Sequence, residues 1–216
     1  MQKSILLMGA LALAPVFMTG CSTVAYTVQE KFGIEKRDIL VDRVEGVAKS
    51  QADAKDEFED ALEAFRAVVS VDGGDLETIY DDMKRGYERS DNQANATRAR
   101  VASVKQVSRD LFREWEAELG EYSDAGLRRA SERQLRDTQQ HYEGLVDTMD
   151  AATASMDPVL SVFKDRVLYL KHNLNARSIA ALSSETAELE SDVARLISQM
   201  EQSISAADAF IQAMRE

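Results

Sequence analysis

Cysteine is all but missing: Cys21 is the only one in 216 residues. No disulfide can form within the chain, and a lone thiol exported to an oxidising compartment could pair only between chains. Proline is nearly as scarce, with Pro15 and Pro158 alone, and the glycines cluster, so long stretches run without a helix breaker. There are two histidines, His141 and His172, 31 residues apart. If one helix carries both, its rise sets them roughly 46 Å apart, too far to share a metal within one chain. Basic residues fall short of acidic ones, 26 against 38. Such a surface repels nucleic acid and anionic headgroups, which are bound largely through Lys and Arg contacts to phosphate. No G-x-x-x-x-G-K-[ST] run is present, so the phosphate cradle of an ATPase is missing.

The start of the chain is differently composed. Lys3 precedes an apolar segment from Ile5 to Met18, then Thr19 and Gly20, then Cys21. This is the layout of a secretory signal. The apolar segment is short of the roughly 20 residues that span a bilayer, and Pro15 interrupts it, so a transmembrane anchor is the weaker reading. The small pair before Cys21 is similar to the lipobox of bacterial lipoproteins, with Met18 where leucine is usual. That resemblance implies cleavage before Cys21 and a diacylglycerol on its sulfur. The alternative is a chance cysteine behind an ordinary signal peptide. Residues 1–20 are thus expected to be a lipoprotein signal peptide, 21–34 a lipid-attached linker and 35–216 a helical domain. Cleavage would remove Lys3 alone among charged residues, leaving 25 basic and 38 acidic side chains, net −13. Two or more acyl chains hold a protein at a membrane where one dissociates. Ser22 rather than aspartate after the cysteine is similar to the sorting signal for the outer membrane, periplasmic face, with the inner membrane as the lesser alternative.

From residue 35 onward apolar residues recur at alternating steps of three and four, the heptad seam of packed helices. The first ladder is Leu40, Val44, Val47, Gln51, Ala54, Phe58, Ala61, Phe65 and Val68, apolar at all but Gln51. A second runs from Leu76 through Met83, Ser90, Thr97, Val104 and Leu111 to Tyr122, diluted by small polar residues in its middle. A third runs from Leu135 through Met149, Met156 and Phe163 to Leu174, slipping register just past Pro158. A fourth runs from Ile179 to Met214 and is apolar at nine of eleven steps. The breakers "VDGGDLE" and "GEYSDAG" separate the first three helices, and "NLNARS" the last two. The expected fold is all-α: an elongated, antiparallel, up-down four-helix coiled-coil bundle, with Pro158 read as a kink within a long third helix. Tyr80, Tyr87, Trp115, Tyr142 and Tyr122 fall on the seams and read as core.

The stretches "EKRDILVDRVEGVAKSQADAKDEF", "VDGGDLE", "LRRASERQLRDT" and "VLYLKHNLNARSIAAL", with the lipobox, resemble a family of Gram-negative lipoproteins known only as a domain of unknown function. The resemblance implies lipidation and a helical periplasmic body, and no activity.

Chemistry finds little footing. No serine stands at helical spacing before His172, so a nucleophile–base pair is missing and no enzyme is expected. Asp72, Asp75 and Glu77 lack the alternating ligand spacing of a calcium loop, and an acidic helix start is their ordinary role. No metal or other cofactor is expected. Equal helical rises place "KHNLNAR" at the same end as "VDGGD", so Lys171, His172, Asn173, Asn175 and Arg177 should meet Asp72 and Asp75. That cluster ties two loops together or, alternatively, binds a small anion. Arg128, Arg129, Arg133 and Arg136 should face Glu114, Glu116, Glu118 and Glu121 across a hairpin, as rim salt bridges or as a seat for a carboxylate-bearing cell-wall partner. Two functions follow: a non-enzymatic, lipid-anchored periplasmic scaffold or adaptor, or a small-ligand or signalling module using the "KHNLNAR" end. The expected partners are the membrane through the lipid and an envelope protein or the cell wall; exposed heptad flanks also allow a homo-oligomer.

Overall fold

The computed structural model describes residues 35–70, 76–183 and 186–215. Cys21, Asp72 and Asp75 lie outside them, as do the expected signal peptide and linker. Among the described residues the protein is all-helical, without a strand: α1 (Lys36–Val69), α2 (Leu76–Glu118), α3 (Ala125–His172), α4 (Ala176–Ser183) and α5 (Thr186–Arg215). At about 1.5 Å per residue, α3 with 48 residues is roughly 72 Å long and α2 with 43 roughly 65 Å. None of the described helices is long and apolar enough to cross a membrane.

The seams are the buried faces. Every step of the first ladder is buried, including Gln51, with Leu40, Val44, Phe58 and Phe65 fully enclosed. The second is buried from Met83 to Leu111 except at Tyr87, the third at Leu135, Met149, Met156, Phe163 and Leu170, and the last from Leu189 to Met214. Apolar stripes this narrow stabilise a helix only against neighbours, and here the helices form a bundle. α1 lies against α2 and α5, α3 lies against the same two, and α4 touches α1 and α3. Across three of these contacts side-chain pairs run in opposite chain order. Ser50 meets Thr97 and Glu57 meets Arg89 between α1 and α2. Lys55 meets Glu201 and Arg66 meets Glu190 between α1 and α5. Arg98 meets Asp157 and Lys105 meets Asp150 between α2 and α3.

Small residues set how closely α1 and α2 approach. A Cβ on Gly86 would stand 3.1 Å from the Ala61 Cα, so this glycine is required by packing. Nearby polar seam positions bond to carbonyls or to one another. Ser90 Oγ donates to the Glu57 carbonyl at 2.9 Å, Ser50 and Thr97 share a hydroxyl bond of 2.8 Å, and Gln93 Nε2 donates to the Ser50 carbonyl at 3.0 Å.

Two expectations need correction. The expected fourth helix is two, α4 and α5. They lie on either side of residues 184–185, which are outside the described set. Tyr122 is not core: it is 42% exposed, because it lies beyond the end of α2 where no neighbour covers it. Tyr80, Tyr87, Trp115 and Tyr142 are half-buried at the seam margins. Pro158 lies inside α3, which runs through it without interruption.

Candidate functional site

The "KHNLNAR" stretch forms the corner from α3 to α4. Asn173 closes α3: its backbone N–H donates to the Leu170 carbonyl at 3.1 Å and its Nδ2 to the Tyr169 carbonyl at 2.9 Å. Asn175 opens α4, where its Oδ1 accepts from the Ser178 N–H at 3.1 Å and from Ser178 Oγ at 3.3 Å. Both amides thus satisfy orphan backbone groups at helix ends. Lys171 and His172 are exposed in the last turn of α3, where positive charge complements the helix C-terminus. Arg177 is exposed in the first turn of α4. Beneath the corner, Leu170, Ile179 and Leu182 join Val68 and Phe65 in one core cluster, which places it beside the C-terminal end of α1. The expected partners Asp72 and Asp75 fall outside the described residues.

His141 and His172 both lie on the continuous α3, so the separation argument against a shared metal applies directly. Among the described residues no group of three or more His, Cys, Asp or Glu side chains is arranged to hold a metal ion.

Surface grooves run between the described helices. One, of about 740 Å³ between α1 and α5, is lined by Glu59, Asp60, Glu63 and Glu190 around Arg66, whose Nε reaches Glu190 at 2.7 Å. Another lies between α3 and α5, where His141 stands beside Gly144, Ala206, Ala209, Phe210 and Ala213. Perturbed titrating groups have structural causes. A hydrogen bond from Lys55 to Glu201, and the charge of that carboxylate, raise the Lys55 pKa. Burial, with Asp91 and Glu88 nearby, raises Tyr87. The N–H groups of Leu127 and Gly126 lower Asp124, which caps α3 through bonds of 2.9 and 2.6 Å.

The α2–α3 hairpin is not held by the expected arginine–glutamate pairs. Glu114 takes Lys36 of α1 at 2.8 Å, Glu116 accepts from Gln139, and Arg128 pairs with Glu132 on its own helix. The staple is aromatic: Trp115 Nε1 donates to Ser131 Oγ at 2.8 Å, and Phe112 meets Tyr142 edge-on at 5.3 Å. The i, i+4 reach of Arg128 to Glu132 satisfies that arginine locally, which the sequence signals by spacing alone.

No curated protein and no solved structure matches the chain. One family model does, over residues 25–214, nearly the whole length, and the chain belongs to the family described as "Protein of unknown function (DUF2959)".

Proposed function

We propose that the protein is a non-enzymatic scaffold or adaptor of the cell envelope, anchored through a lipid on Cys21 to the periplasmic face of the outer membrane. In this reading residues 35–216 form an elongated, antiparallel, up-down coiled-coil bundle that holds a partner at a set distance from the membrane. One observation carries the reading: the apolar seams of the four long helices are spent on packing against each other, which leaves charged outer faces as the contact surface. The anchoring half rests on the sequence before Cys21. The small-anion alternative loses support because Asn173 and Asn175, the most distinctive side chains of its site, are engaged as helix caps.

Crosslinking in intact cells followed by affinity purification tests the scaffold directly. A scaffold yields one dominant envelope partner, lost when exposed charges on one face are reversed. Recovery of the protein alone at every crosslinker length would contradict the reading.

A further inference from the structure

The α2–α3 hairpin extends past the rest of the bundle. The last buried residue of α2 is Leu111 and the first of α3 is Leu135; no described residue from 112 to 134 is buried. The neighbouring helices stop short of it. α1 begins at Lys36, whose Nζ bonds Glu114, and α5 ends at Arg215, whose guanidinium reaches back to Glu45. At helical rise the overhang is about 10 to 15 Å. Its tip exposes two of the four large apolar side chains that the described residues leave exposed, Leu127 at 61% and Tyr122 at 42%. Arg128, Arg129 and Arg133 follow directly, all exposed. The other two, Leu168 and Tyr169, stand 41 residues along α3 from Leu127, roughly 60 Å away at the opposite end.

We infer that the hairpin tip is a second membrane contact, seated on a phospholipid headgroup surface, with Leu127 and Tyr122 at the acyl boundary and Arg129 and Arg133 on phosphates, Arg128 being held by Glu132 at 3.0 Å. This rests on the anchoring reading above. Lys36 enters the bundle at the tip end and lies 15 residues beyond Cys21, so chain length alone keeps an anchor on Cys21 within roughly 50 Å of that end. An aliphatic group and a tyrosine flanked by arginines fit the interface, where an apolar body meets water and phosphate. The chain as a whole is acidic, but the tip is mixed: Glu118, Glu121 and Asp124 are exposed beside the arginines. Mixed charge suits zwitterionic headgroups, which carry phosphate and ammonium together, and not a purely anionic sheet. The tip then fixes the tilt of the bundle, which a lipid tether alone leaves free.

The lipidated protein offers a clean test, since the thioether would consume the only native thiol. Leu127→Cys and, separately, Leu168→Cys are labelled with bimane in the full-length protein, which is reconstituted into vesicles of mostly phosphatidylethanolamine with a minor phosphatidylglycerol fraction. Shallow nitroxide lipids should quench the Leu127 site by at least about twofold and leave the Leu168 site unchanged. Reversing Arg129 and Arg133 to Glu should abolish the quenching of a label at Tyr122→Cys. Flotation of the protein with vesicles but equal, weak quenching at both ends overturns the tip contact alone. Failure to float, with Cys21 open to labelling, overturns the anchoring reading and the tip contact with it. A Leu127 label shielded only when envelope proteins are added assigns the tip to a protein partner and refutes the lipid surface.

Discussion

Gln51 is the most informative position at which to perturb the core. It sits on the α1 seam between Val47 and Ala54, is fully buried, and neither its Nε2 nor its Oε1 meets a hydrogen-bond partner in the protein. An amide enclosed in this way costs about 1–3 kcal/mol in lost hydration. Leucine has a similar volume, no polar atom, and fits the seam pattern of the residues on either side. Gln51→Leu should therefore stabilise the fold by about 1–3 kcal/mol, less any repacking cost, which for volume-conserving changes stays under about 1.5 kcal/mol. For a chain of this size that is a rise in Tm of roughly 2–4 °C per kcal/mol. Urea unfolding followed by far-ultraviolet circular dichroism reads it as a higher midpoint at constant slope. Phe58→Ala, at a side chain with 0% exposure, calibrates the scale with an expected loss of about 3–5 kcal/mol. A lower midpoint for Gln51→Leu would show that the amide is satisfied in the folded protein and that the seam needs it.

Glycines provide a matched pair. Gly86→Ala should destabilise by about 1–3 kcal/mol, because the added Cβ meets α1 backbone at 3.1 Å, whereas Gly144→Ala, with nothing within 4 Å, should stabilise by about 0.5–1 kcal/mol. Equal effects in chemical denaturation would refute the close approach of α1 and α2. Asp124 has a folded pKa lowered by its two cap bonds, so its contribution is complete above the ordinary carboxylate pKa and disappears as pH falls through the lowered folded value. Protection factors for amide exchange at Gly126 and Leu127 should fall over that acid window and lose this dependence in Asp124→Ala.

Much of this architecture is legible in the heptad spacing. The first ladder, from Leu40 to Val68, is buried at every step, because a 3.5-residue repeat on a 34-residue helix leaves only one face for neighbours. "GEYSDAG" is readable for a similar reason: aspartate before Ala-Gly is a strong helix cap, and Asp124 takes that role. The small-residue contact of Gly86 with Ala61 was hidden, because periodicity weighs apolar residues and passes over glycine. At the "KHNLNAR" corner the sequence gives residue types without partners. An asparagine that caps a helix and one that awaits a ligand look alike until the backbone is in place. The overhang of the α2–α3 hairpin depends on where α1 begins and α5 ends relative to α2, a tertiary offset that no single helix encodes.

The central claim is that Cys21 is the anchor of a scaffold, and intact-mass spectrometry of the protein extracted from membranes of a Gram-negative host tests it most directly. The predicted mass is that of a chain beginning at Cys21 and carrying a thioether-linked diacylglycerol, absent from Cys21→Ser. A chain retaining residues 1–20, or one with a free Cys21 thiol, would contradict it.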